Sequence, residues 1–179
     1  SSYHLGFVLG PCLNATGRLD SAKEALQLLL TDDGEMARKL AESVVLLNES
    51  RKQLTNEGVH AAEEWVDACD KLPDVLVVYL PDIHESIAGI IAGRIRERYY
   101  RPTYVLTKTE NGILKGSGRS IKGYNMFDEL TKCADLFLGY GGHELAAGFS
   151  LVEDNLESMR EALNRLHTMT EEVLTPKLM

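Results

Sequence analysis

Cysteine is scarce and scattered. Cys12, Cys69 and Cys133 lie far apart with no C-x-x-C pair. That spacing excludes a disulfide framework and a thiolate zinc site, and it fits reduced thiols in a cytoplasmic protein. No apolar run approaches the roughly 20 residues that a membrane helix needs, so neither a span nor a membrane partner is expected. The opening Ser1-Ser2-Tyr3-His4 does not read as a secretory signal. Positive charge is also short: 19 Lys and Arg against 27 Asp and Glu give a net charge of −8, which argues against indiscriminate duplex binding. There is no internal repeat and no low-complexity tract. With 179 residues, 44% hydrophobic and 26% charged, the chain has the composition of one globular domain plus a substantial appendage.

What the chain does have is a basic window inside an acidic whole. Residues 89–122 carry eight basic side chains (Arg94, Arg96, Arg98, Arg101, Lys108, Lys115, Arg119, Lys122) and two acidic ones (Glu97, Glu110), a local +6 against −14 for the rest. Such a window suggests a confined anion site or groove; a solvated helix face explains Arg94 to Arg101 equally well. At its end stands Gly116-Ser117-Gly118-Arg119-Ser120, answered by Gly141-Gly142-His143-Glu144-Leu145-Ala146-Ala147-Gly148. Glycines let backbone amides approach an oxyanion in a nest, and the Arg119 guanidinium adds a forked pair of donors. His143 puts an imidazole on a glycine-pair turn. The two turns are expected to meet around a nucleic-acid phosphate. Taken alone, Gly-Ser-Gly is as readily a hairpin or linker, and a histidine after two glycines a hydrogen-bonded turn residue. The first is no dinucleotide fingerprint, because Ile121 occupies the third glycine position and no Walker lysine follows.

Glycine, proline and asparagine through residues 3–19 read as an ordered loop. Asp20 is a fitting N-cap for a short helix carrying Ala22, Ala25, Leu26, Leu29 and Leu30. Thr31-Asp32-Asp33 then caps a long helix over about 35–69, in which Arg51 and Gly58 interrupt the apolar stripe and Gly58 marks a bend. Pro73 ends the helical section. Val75–Leu80 and Thr103–Thr107 read as buried strands flanking a helix from Ile87 to Tyr100, a β-α-β unit with a parallel pair. Gly89 and Gly93 give that helix a face that can lie close to the sheet. Asn111-Gly112 predicts a hairpin returning through Ile113–Ser117, with the glycine stretch at the strand's end. Asn125 or Gly123 opens a further helix, Leu145–Gly148 reads as a helical turn, Phe149–Val152 as a strand, and Asp154 to about Leu174 as a closing helix.

Leu9-Gly10-Pro11-Cys12-Leu13-Asn14-Ala15-Thr16-Gly17-Arg18, the long helix, His84 to Arg94, Gly116 to Ser120 and Gly141 to Gly148 occur here in that order. The order resembles RecJ-type single-stranded-DNA-specific exonucleases of the DHH superfamily, in which a DHHA1 domain follows the catalytic domain. The resemblance implies an α/β fold, a DHHA1-like mixed sheet flanked by helices and preceded by a long interdomain connecting helix. It implies that residues 1–31 are the tail of the catalytic domain, 32–72 the connector and 73–179 the DHHA1 domain. It also implies a 5′→3′ exonuclease of DNA repair and recombination acting on single-stranded DNA, preferably 5′-phosphorylated.

The same resemblance assigns contacts to the 5′-phosphate or nearby backbone to Arg18, Ser117 and Arg119, and a place beside the substrate phosphates to His143. Gly116, Gly118, Ser120, Gly141 and Gly142 complete the expected binding set. Asn14 is expected to shape its loop, and Tyr124 and Tyr140 either stack on bases or pack in the core. Cys12 stands where many members carry arginine, and Ile83 where an aromatic precedes the histidine. The family's Mn²⁺ or Mg²⁺ pair is held by Asp and His ligands of a D-H-H domain, and no D-H-H triplet occurs here. The chain is therefore expected to hold no metal and to cleave nothing by itself. Rival readings are a DHH/DHHA1 phosphodiesterase for short oligonucleotides or cyclic dinucleotides, and a non-catalytic binding module.

Overall fold

The computed structural model describes residues 1–19 and 22–176. The chain divides into two compact units, Ser1–Asn56 and Glu57–Met179. The expected N-cap at Asp20 lies outside the described residues.

In the first unit the segment expected as a loop is helical: α1 (Ser2–His4), a π-helical stretch Leu5–Leu9, then α2 (Gly10–Leu19). Proline explains how helix and loop signals coexist. Pro11 lacks an N–H and crowds the preceding turn, and the wider π turn before it, in which the Gly10 N–H reaches Leu5 O, absorbs the misfit. Helix α3 (Ala22–Leu30) follows, and Asp33 caps α4 (Gly34–Asp67) by accepting from the Glu35 and Met36 amides at 2.9 and 3.2 Å. The buried residues here are few: Ala15, Thr16, Ala25, Val44, Asn48 and Thr55. Large apolar side chains stay exposed, among them Leu5, Phe7 (73%), Leu29, Leu30 (71%) and Leu46.

Helix α4 runs about 50 Å, and its last turns belong to the second unit. It passes unbroken through Gly58. The glycine serves packing, since a Cβ there would stand 2.5 Å from Ile91 Cδ1.

The second unit is a five-stranded mixed sheet in the order β1-β2-β3-β5-β4. Strand β1 (Leu76–Tyr79) pairs in parallel with β2 (Thr103–Lys108), joined through α5 (Glu85–Tyr99). Strand β3 (Ile113–Arg119) returns antiparallel after a tight turn in which Gly112 takes φ +77°. After α6 (Met126–Thr131), capped by Asn125, come β4 (Gly139–His143), β5 (Ala146–Val152) and α7 (Leu156–Leu166). Residues 145–148 are thus largely strand, not helix. Helix α7 also stops short of the expected Leu174, because the chain turns at His167 and sends Met169, Val173 and Leu174 back onto the core.

Each face of the sheet has its own core. Tyr104, Leu106, Leu114, Met126, Leu130, Phe149, Leu151 and Met159 fill one, beneath α6 and α7. Leu76, Val78, Val105, Ile87, Ile91 and Ile95, with Ala62 and Val66 of α4, fill the other, beneath α5. On this second face apolar packing stops at β2. Across β3, β5 and β4 the same face carries mostly polar or small residues, with the apolar pair Ile113 and Val152 at its far end.

Candidate nucleic-acid interface

Pairing register fixes what that face displays, because residues opposite one another in a ladder project to the same side. Arg119 pairs with Ala146, and Ala146 with His143. One step back, Ser117 pairs with Gly148, and Gly148 with Gly141. A third row holds Lys115, Ser150 and Gly139. Arg119 and His143 therefore flank Ala146 with backbones about 10 Å apart, two strand spacings. Between them stands only Ala146, and the row behind adds Ser117 and two glycines.

The glycine pair of the first motif does not form a nest. Gly116 and Gly118 lie inside β3, paired on both sides, so their amides belong to the ladder. They also project to the opposite face. A Cβ on Gly116 would fall 2.1 Å from Phe149 Cζ, and one on Gly118 2.7 Å from Met126 Sδ and 2.9 Å from Tyr104 Cδ1. Core packing demands both glycines. Ser120 is buried, and its hydroxyl donates to Tyr124 O at 2.6 Å and Ile121 O at 3.1 Å. It closes its own turn and presents nothing outward.

The second motif is the tip of a β-hairpin, not a glycine turn. Gly142 takes φ +149°, and a Cβ there would meet Ala146 O at 2.4 Å, so glycine is required by the backbone. Gly141 and Gly148 differ in kind. Their φ values are ordinary, and a Cβ would meet nothing within 4 Å at Gly141 and only Gly116 O at 4.0 Å at Gly148. Nothing inside the protein calls for glycine at either place.

The charged groups are held in defined positions. The Arg119 guanidinium donates to Gly118 O at 2.7 Å and Ser117 Oγ at 3.4 Å while half-buried against α5. Exposed His143 accepts the Leu145 N–H at Nδ1 (3.2 Å), which in the neutral ring leaves Nε2 as an outward donor. Lys115 pairs with Glu85 at 2.8 Å, and Arg96 reaches Ser120 O at 3.5 Å and Glu97 at 2.7 Å. The two motifs are joined through the backbone, with Ser120 N–H donating to Leu145 O (2.9 Å) and Met126 N–H to Glu144 O (3.0 Å).

Arg18 belongs to the first unit, half-buried in the last turn of α2; Asn14 is exposed on the same helix and shapes no loop. Tyr124 is a core residue, its hydroxyl 3.3 Å from that of buried Tyr104, with burial holding both phenols far above their usual range. Tyr140 packs beside Phe127 and Phe137 on the core side of β4. Neither tyrosine offers a stacking platform on the bare face. Burial, with Asp135 and Glu129 nearby, raises the Cys133 thiol to about 11, which makes it inert. Among the described residues no group of three or more His, Cys, Asp or Glu could hold a metal ion. A divalent pair does not fit the residues present. No helix among them is long and apolar enough to cross a membrane. Gly148 and Gly89, both in contact range of this face, were not among the binding residues read from sequence; the small-residue run Ala146-Ala147-Gly148 is the signal for the first, and Gly-x-x-x-Gly in a helix for the second.

A helix-fronted mixed sheet ending in a Gly-Gly-His hairpin defines a class, and the chain belongs to it: residues 72–168 match the DHHA1 domain family. More particularly, the chain is similar to the single-stranded-DNA-specific exonuclease RecJ. That of Dickeya dadantii is 43% identical over 165 residues, covering 88% of this chain and 29% of the relative. That of Escherichia coli is 40% identical over 183 residues, covering 98% and 31%. In structure the chain resembles RecJ from Thermus thermophilus in complex with Mg²⁺, with TM-score 0.81 and 31% identity over 92% of this chain and 25% of that one. A RecJ exonuclease bound to manganese gives TM-score 0.80, again at 31% identity, over 92% and 40%. The chain thus spans less than a third of the length of these curated relatives.

Proposed function

We propose that the bare face of β3, β5 and β4 holds the phosphate backbone of single-stranded DNA, preferably a 5′-phosphorylated end. In this reading the chain is the substrate-binding part of a 5′→3′ exonuclease of DNA repair and recombination, working in the cytoplasm. The observation that carries it is the row Arg119–Ala146–His143 beside the row Ser117–Gly148–Gly141. Two cationic or donor groups stand at a fixed spacing over a floor that lets a backbone come close. Such contacts position a strand without reading its bases. Of the basic window Arg119 supports this reading, whereas Arg96, Arg98, Lys108 and Lys115 are paired with carboxylates; the likeness to RecJ exonucleases supports it too.

Mn²⁺ or Mg²⁺ would be held by a part of the enzyme outside this chain, and no step assigned here runs through it. Residues 1–31 would be the tail of that catalytic part, 32–72 the connector and 73–179 the DHHA1 domain. The exposure of Leu5, Phe7, Leu29 and Leu30 supports the first assignment, since large apolar side chains gain from being covered. Arg18 would be a phosphate contact of that catalytic part.

One titration tests the reading: 5′-phosphorylated against 5′-hydroxyl single strands, with dinucleotides as a third ligand. Preference for longer phosphorylated strands is expected. Preference for dinucleotides would point to a phosphodiesterase, and indifference to a module with another purpose.

A further inference from the structure

Glycine is the poorest helix former after proline, yet α5 carries two, Gly89 and Gly93, four residues apart. Their surroundings differ. A Cβ at Gly89 would stand 2.7 Å from Arg119 Nη2, 2.9 Å from Ser117 Oγ and 3.3 Å from Arg119 Cζ. At Gly93 the nearest atom would be Arg119 Cγ at 4.0 Å, an ordinary contact. The first glycine lies against the guanidinium, the second against its methylene stem.

We propose that Gly89 is a positioning residue for phosphate binding: its missing side chain is the berth in which the Arg119 guanidinium lies. The inference rests on the reading of Arg119 as a phosphate-holding arginine. The sheet holds the guanidinium from one side, through Gly118 O and Ser117 Oγ. The α5 backbone closes the other side at Gly89, where no Cβ intervenes. Alanine at 89 would press on the free end of a flexible side chain, so the arginine would give way before the helix or sheet did. A displaced guanidinium loses the planar alignment on which forked recognition of an oxyanion depends. Ser117, touched by the same Cβ, would shift with it.

The test uses the full-length protein with 5′-phosphorylated and 5′-hydroxyl oligothymidylates as probes. Gly89→Ala should weaken binding of the phosphorylated strand by about tenfold, on the order of one charge-assisted hydrogen bond. It should leave the hydroxyl strand unchanged, and Gly93→Ala should change neither. Combined with Arg119→Ala, Gly89→Ala should add no further loss, because the glycine acts only through the arginine. A loss that adds to that of Arg119→Ala, or one equal for both probes, overturns the inference and leaves the phosphate reading standing. If Arg119→Ala itself weakens nothing, the phosphate reading falls and this inference with it. Should Gly89→Ala fail to fold, the pair with Arg119→Ala decides. Recovery of the folded state shows that the guanidinium was the obstacle, and a double variant that stays unfolded overturns the proposal.

Discussion

Strand β3 shows two different proteins on its two sides. Toward α6 and α7, Gly116 and Gly118 are empty because Phe149, Met126 and Tyr104 occupy the space. Toward α5 and the bare face, Ser117 and Arg119 carry the polar groups, and the empty places are Gly141 and Gly148 on the neighbouring strands. One set of glycines is filled from within. The other is open, and nothing in the chain accounts for it. A glycine-rich motif in a strand therefore mixes two messages at alternate positions, and only the pleat separates them.

The comparison can be broken most sharply at Gly116. Alanine there would sit 2.1 Å from a Phe149 ring carbon, and about 3 kcal/mol of stability should be lost, the upper part of the overpacking range. Urea unfolding measures it, and a loss below about 1 kcal/mol would mean that this side tolerates side chains after all. Arg119→Ala should do the reverse. Folding should hold, while affinity for a 5′-phosphorylated single strand falls about ten- to a hundredfold in an anisotropy titration. Unchanged affinity would remove the arginine from the phosphate contacts.

Gly141→Ala and Gly148→Ala sharpen the contrast between the glycine sets. With ordinary φ and open space, both should fold within about 0.5 kcal/mol of the parent or slightly better. Binding should nevertheless drop on the order of tenfold. A marked stability loss on unfolding would place these glycines with Gly116.

The smallest effect belongs to a control that touches neither set. Glu153 accepts from Lys108 Nζ at 2.7 Å and Tyr79 OH at 3.1 Å, and these bonds, the lysine's first, lower its carboxyl below the usual value. A depressed folded pKa stabilises above the unfolded value of about 4.3. The contribution is lost as pH falls through the folded one. Glu153→Gln should thus lower Tm slightly at pH 7 and by less as the pH falls below about 4.3, as thermal melts across that range would show.

Much of the second unit was legible because its signals are local. The apolar runs around Val77 and Val105, Gly112 in the hairpin turn and Asn125 at the start of α6 each act within a few residues. The mixed sheet and long helix follow from them, and the likeness to RecJ follows from motif order. Most departures share a cause: local composition suggests one conformation where more distant neighbours decide another. Gly10 and Pro11 sit in a helix because a π turn absorbs them. Gly116 and Gly118 sit in a strand because distant aromatic and sulfur side chains need the room. Ala146 to Gly148 look helical by size and are held extended by β3 on one side and β4 on the other. Arg119 was legible as a cation, but not the glycine of α5 it lies against, since sequence does not say which helix covers which strand.

The hairpin tip is fastened by Ser120 N–H to Leu145 O and Met126 N–H to Glu144 O, bonds that use no side chain. The interval between Arg119 and His143 is accordingly a gauge cut into the main chain. Side chains around it can be exchanged without resetting the distance between those two backbones.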